Sequence, residues 1–306
     1  MQTGSDLYTL GVLSAIGATL IFGITNVVYK KFDEELSALD MTFSRIWVSL
    51  LPAYFFAVLS AGTFEFEVPT EPMFPLAISM ILGIVAGDTA YFLSQERIGV
   101  ARAFPIAMSY PLVVYLLAAL FLQEPIIFQR VIGAILVVIG VAAIARKGKG
   151  TSNETLKESI ADDRKKRVGV FLAFLTVFLW ALSDVIFQFG LTGIGAAEAN
   201  FFRMLVASIV LIPVFFIAQA RGKPLPRRRI AIIALVTGVF SIGLSLILYS
   251  YAVKFVGATI TSVVVASAPI FTAPLSAIYL KEEMDTKVIT GTIMTVIGVI
   301  LVILIF

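Results

Sequence analysis

The chain has no cysteine and no histidine among its 306 residues. The first absence excludes disulfides, a thiolate metal site and a cysteine nucleophile. The second removes the usual proton relay near neutral pH, the commonest zinc ligand and the general base of serine-type hydrolysis. Charge is also scarce, at 14% of residues, where a soluble domain carries roughly 25%. Hydrophobic residues make up 59% of the chain, and the mean hydropathy is +0.99. Apolar runs recur at 8–29, 38–60, 74–94, 102–122, 126–145, 168–188, 198–219, 230–253, 258–280 and 287–306. Each is near the ~20 residues that cross a hydrocarbon core, and little is left for a soluble domain. The start, MQTGSDLYTL, has no basic n-region and no A-x-A-like site closes the first run, so that run is expected to be a retained span. The one long polar stretch, 146–167, reads as a solvated linker whose basic ends could touch anionic lipid. It has no aromatic to stack on a base, so no nucleic-acid partner is expected.

The chain is written twice. A shift of 158 positions superposes Gly11 on Gly169, Phe43 on Phe201, Arg45 on Arg203, Tyr91 on Tyr249 and Gly99 on Gly257. The same shift pairs Pro111 with Pro269, Glu124 with Glu282, Gly133 with Gly291 and Gly140 with Gly298. The expected fold class is therefore an all-α integral membrane protein with ten transmembrane helices in two five-helix repeats, 1–145 and 168–306. Five is odd, so the second repeat must cross in the opposite sense. The Lys/Arg pattern agrees: "YKKFDEE" carries two lysines, while its counterpart "QFGLTGIG" has none. An inverted repeat with a fixed orientation explains the swap.

The fourth and ninth spans carry prolines, and proline inside a helix removes a backbone hydrogen bond and clashes with the preceding turn. Pro111 and Pro269 match across the repeat, and Pro105 and Pro274 are expected to add a second break to each helix. A structural kink is one reading, and a hinge lining a cavity the other. Gly133 and Gly140 share one helix face, as do Gly291 and Gly298, which predicts close packing of the fifth and tenth spans. Arg45 and Arg203 lie beside bulky aromatics. Arg45, about two turns from a membrane edge, can snorkel, so both arginines are expected to be structural braces.

The polar residues left within spans are the candidate cavity. Asp88 follows Gly83 and Gly87, and helical spacing puts Asp88, Tyr91 and Gln95 on one face. Asp184 is the counterpart of Asn26, one turn from Trp180, an arrangement that suits an ammonium group through charge and cation–π attraction. A buried aspartate bonded to backbone or to a neighbouring arginine is the alternative. Tyr110, Tyr249 and Ser267 complete the set. As an aspartyl protease the site fails, because "VAGD" has Val85 where glycine is required and no "YD" occurs. No enzyme activity, cofactor or metal is expected.

The order of features in "SYPLVVYLLAALFLQEPIIFQRVIGAILVVIGV" and again in "SAPIFTAPLSAIYLKEEMDTKVITGTIMTVIGV" resembles the EamA-type domain of the drug/metabolite transporter superfamily. The first span of each half, "LIFGITNVVYK" and "FLWALSDVIFQ", fits as well. The resemblance implies a multi-pass plasma-membrane carrier that works by alternating access on a small polar or zwitterionic, amino-acid-like metabolite, with export favoured. A channel or lipid-translocating pore is the competing class. Membrane lipid is the expected surrounding partner, and the carrier is expected as a monomer or a homodimer. Small multidrug-resistance relatives carry a membrane-embedded glutamate at the position of Phe22 here and of Trp180 in the second half. Glutamate-driven drug/proton exchange is therefore not implied.

Nineteen loop Lys and Arg fall on the side away from the termini, against Lys254 alone on the other. Loop Lys/Arg bias sets orientation, so both termini are predicted outside and 146–167 in the cytoplasm. The chain lacks cysteine, so Ser5→Cys should react with an impermeant maleimide in intact cells and Ser152→Cys should not. The reverse labelling pattern would overturn this orientation.

Overall fold

The computed structural model describes residues 4–30, 38–145, 160–221, 228–279 and 286–304, and every regular element among them is helical. Helices α1 (Gly4–Lys30) and α2 (Ala38–Ala61) are followed by α3 (Thr70–Met80), which runs through a π-helical segment, Ile81–Asp88, into α4 (Thr89–Ile98). Next come α5 (Val100–Ala107), α6 (Tyr110–Phe121) and α7 (Phe128–Ala145). The second part begins with α8 (Ile160–Gly190), α9 (Ala196–Ala220) and α10 (Arg228–Gly238). A second π-helical segment, Val239–Leu244, leads into α11 (Ser245–Ala266), then α12 (Pro269–Tyr279) and α13 (Thr286–Ile303). Of the expected linker, residues 146–159 lie outside the described residues, whereas 160–167 form the first turns of α8.

Among the described residues, seven helical stretches are long and apolar enough to cross a membrane, and two shorter apolar helices accompany them. One stretch, Ala231–Tyr279, is 49 residues long, or about 70 Å at ~1.5 Å per residue, more than twice a hydrocarbon core. It is bent at Gly257, whose φ of +84° lies in the left-handed region, where a missing Cβ removes the steric penalty. Gly99, at the α4–α5 junction, has φ +77°. The chain is an all-α, multi-pass membrane protein.

Side-chain size sorts inward and outward. On α1, Ala15, Ala18 and Thr19 are buried while Leu13 is 60% exposed. On α8, Ala173 and Ala181 are buried while Phe171 is 64% exposed. Lipid tails are as apolar as leucine, so helix contact gains from close packing and not from hiding apolar surface. Small residues inside follow from that.

The registers of contact give strand-like precision to the helix directions. A Cβ on Gly133 would lie 2.6 Å from the carbonyl oxygen of Gly298, and one on Gly140 would lie 2.6 Å from that of Gly291. As numbers rise on α7 they fall on α13, so the two run antiparallel. Helix α1 is antiparallel to α11 in the same way: Gly11 meets Val256, and Ser245 Oγ donates to the Ala18 carbonyl at 3.0 Å. The Gly11 contact recurs one repeat later, where Gly169 packs on Arg97 and Ile98.

The proline expectation needs correction. The chain breaks between α5 and α6, and between α11 and α12, with Pro111 and Pro269 opening the helices that follow. Pro105 and Pro274 sit inside α5 and α12 without interrupting them. Proline at the first helical positions costs nothing, because its missing N–H has no intrahelical partner there.

The α7–α13 seam makes one stability prediction. Gly140→Leu must push the Gly291 backbone away, and overpacking of this kind costs about 1–3 kcal/mol. Detergent-solubilised Gly140→Leu should show a clearly lowered melting temperature by fluorescence-detected gel filtration. An unchanged value would mean that the seam does not hold these helices together.

Candidate functional site

Polar groups gather where α3–α4, α6, α8, α9 and α11 meet. Gly83 and Gly87 let α8 in: a Cβ on Gly87 would come within 2.7 Å of Trp180 Cδ1. Ser183 Oγ, one turn along α8, donates to the Ser79 carbonyl at 2.7 Å. Trp180 Nε1 donates to Asp88 Oδ1 at 3.0 Å. The indole centroid is 5.2 Å from Tyr91 and 5.7 Å from Tyr110, and the Tyr110 hydroxyl donates to the Ser262 carbonyl at 3.2 Å. Asp88, Tyr91, Tyr110 and Trp180 thus meet. The partner of Trp180 is Asp88 on another helix, and not Asp184 one turn away on its own.

Asp184 has a separate shell. It is 8% exposed and hydrogen-bonded to Tyr249, whose ring stacks 6.3 Å from that of Phe187. The Arg203 guanidinium carbon lies 3.7 Å from the Phe187 centroid, a cation–π distance. Arg45 and Arg203 are 5% and 3% exposed, so Arg45 does not snorkel as the sequence suggested. Each instead interacts electrostatically with a cluster carboxylate, Arg45 with Asp88 and Arg203 with Asp184. Four buried atoms here have no hydrogen-bond partner among the described residues: Asp184 Oδ2, Asn200 Nδ2, Arg203 Nε and Arg203 Nη1. An unmade buried hydrogen bond costs about 1–3 kcal/mol, and half of the eight such side-chain atoms among the described residues belong to these three residues, which makes the cluster a candidate site.

Other expected residues fare differently. Ser267 Oγ donates to the Val264 carbonyl of its own helix at 2.5 Å, and its counterpart Ser109 does the same to Ile106 at 2.6 Å. The Asn26 side chain lies outside the described residues. Phe187 and Asn200 were missed, the first because nothing local distinguishes it from other apolar residues. Asn200 could have been found by its position one turn before Arg203. Also missed were the two π-helical segments, which begin at matched positions, Ile81 and Val239. Such segments are rare and frequent at functional sites, and Asp88 closes the first of them.

A second polar network ties the ends of α6, α8 and the α11 bend. Gln188 Nε2 donates to Glu124 Oε1 at 2.8 Å, and Thr259 Oγ1 donates to Glu124 Oε2 at 2.6 Å. The backbone N–H of Ala258 donates to Gln188 Oε1. Side chains and a bent helix thereby satisfy one another.

The profile of the EamA-like transporter family matches residues 9–146 and 167–304. An uncharacterized transporter of Archaeoglobus fulgidus is 26% identical over 296 residues, 96% of this chain and 98% of that protein. A probable terminal-alkyne amino-acid exporter of Streptantibioticus cattleyicolor is 30% identical over 129 residues, 42% of each. A protein of known crystal structure superposes with a TM-score of 0.74 at 14% identity, over 95% of this chain and 96% of that one, which shows the fold alone.

The Glu124 network yields a measurable consequence. Thr259→Val keeps shape but removes one charge-assisted donor, and bonds to charged groups contribute about 1.5–3 kcal/mol. A cysteine at Phe189, next to this network, should then be alkylated faster than in a control retaining Thr259. Equal rates would show that the network does not hold α6, α8 and α11 together.

Proposed function

The chain belongs to the EamA-like transporter family, and from that premise we propose a secondary carrier that moves a small zwitterionic metabolite by alternating access. That the protein is a membrane transporter follows from the family. The finer reading is a ten-span carrier with halves 1–145 and 168–306 in inverted orientation, joined by 146–167, in the plasma membrane. Supporting it are the antiparallel α7–α13 and α1–α11 pairs and the matched π-helical segments. The 49-residue Ala231–Tyr279 stretch, split at Gly257, supplies the eighth and ninth spans of this reading.

One observation carries the carrier reading: Asp88, Tyr91 and Tyr110 from the first half meet Trp180 from the second, through the Trp180–Asp88 hydrogen bond. A site built by both halves is remade whenever they rock. The Glu124–Gln188–Thr259 network also joins the halves and serves as the gate on the side of the termini. Pro111 and Pro269 open the hinge-bearing helices. Export of an amino-acid-like cargo is supported by the relative named a probable terminal-alkyne amino-acid exporter. Both aspartates are engaged by an indole or a phenol, which suits binding better than catalysis.

Reconstituted protein should show saturable counterflow of radiolabelled amino acid. Asp88→Asn keeps the shape of the site and should lower the flux per folded protein at least about tenfold, equivalent to ~1.4 kcal/mol. Linear, non-saturating flux would establish the channel or lipid-pore alternative.

A further inference from the structure

Resting on the carrier reading, we propose that Arg203 and Asn200 form the subsite for the cargo's carboxylate and that Asp184 receives its ammonium group, so that the cargo is an α-amino acid. Asn200 and Arg203 lie one turn apart on α9 and are 0% and 3% exposed. Arg203 is held against the Phe187 ring yet leaves Nε and Nη1 without a partner. The Asn200 side-chain amide lies 3.5 Å from the Ser250 hydroxyl, whose proton goes to the Leu246 carbonyl at 2.7 Å, and the Asn200 amide nitrogen is without a partner among the described residues.

Across from these donors Asp184 offers the opposite need. Tyr249 is bonded to its carboxylate, and Oδ2 has no donor. Asp184 and Arg203 attract one another, yet Asp184 Oδ2 and Arg203 Nε and Nη1 all remain without a hydrogen-bond partner among the described residues. The cluster therefore presents unpaired donors and an unpaired acceptor together. A simple anion would leave Asp184 bare, and a simple amine would leave the Arg203 and Asn200 donors bare. A carboxylate with an adjacent ammonium meets both demands, and charge-assisted bonds of this kind are the stronger ones.

The subsite is one-sided. At the positions matching Asp184 and Asn200 the first half has Asn26 and Thr42, so only the second half can offer this pairing of charges. Tyr110, which interacts electrostatically with Asp184, and Trp180, 5.7 Å from it, form an aromatic wall beside the subsite. That wall suits an apolar or aromatic side chain on the cargo.

The test uses the purified full chain in lipid nanodiscs with the twenty proteinogenic amino acids, their amides and their decarboxylated amines. Thermal shift and calorimetry should find at least one amino acid that binds, with its amide and amine at least about tenfold weaker. Arg203→Gln and Asn200→Asp should each weaken that amino acid at least about tenfold while leaving its amine nearly unchanged. If Arg203→Gln does not fold, the near-isosteric Asn200→Asp carries the comparison. The proposal is overturned if no amino acid binds at millimolar concentration, if amides and amines bind as well, or if both variants keep the selectivity of the parent. Counterflow on the same preparations separates the two levels. Saturable transport of amines but not of amino acids removes the carboxylate subsite and leaves the carrier standing, whereas linear flux of every solute removes the carrier.

Discussion

Two helices in hydrocarbon gain little by hiding apolar surface, so their contact depends on how closely the backbones can approach. In this protein that approach is set by glycine. Gly133 and Gly140 lie against Gly298 and Gly291, close enough that a Cβ would meet a carbonyl oxygen at 2.6 Å. Gly11 and Gly169 let α1 and α8 close on side chains of the helices they cross, those of Val256 and Ile98. Large side chains are left to face lipid, as Leu13 and Phe171 do. The inside-out sorting of size is a consequence of this one constraint.

The same closeness builds the polar centre. Gly87 leaves room for the Trp180 indole, and only then can its N–H reach Asp88. Asp88 closes a π-helical segment, whose wider turn changes the rotation of the upstream helix relative to α4. Ionisable groups within a bilayer are expensive unless they meet partners, and here they are gathered so that each has one nearby. Asp88 has Trp180 and Arg45, and Asp184 has Tyr249 and Arg203. The gathering is incomplete around Asp184, Asn200 and Arg203 among the described residues. The Glu124 network, by contrast, is closed: both carboxylate oxygens and both ends of the Gln188 amide are used.

Composition and periodicity alone decided the class of the protein, because a chain that is 59% hydrophobic with apolar runs near the thickness of a bilayer has no soluble alternative. Self-comparison also exposed the duplication and the paired glycines, since identity at a fixed offset and spacing on one helix face are local properties of a string. What the string could not show is which side chains meet across helices. Trp180 and Asp88 are 92 residues apart, and the nearer Asp184 was the more obvious partner. Arg45 reads as able to snorkel because distance to a membrane edge is visible in sequence, whereas the cover supplied by neighbouring helices is not. "ILGIVAGD" has nothing that separates a π turn from an α turn, and Pro105 and Pro274 look as disruptive as Pro111 and Pro269. Only docking decides these matters, because hydrogen bonds and ring contacts depend on distances of a few ångströms between segments that the order of residues leaves unconstrained.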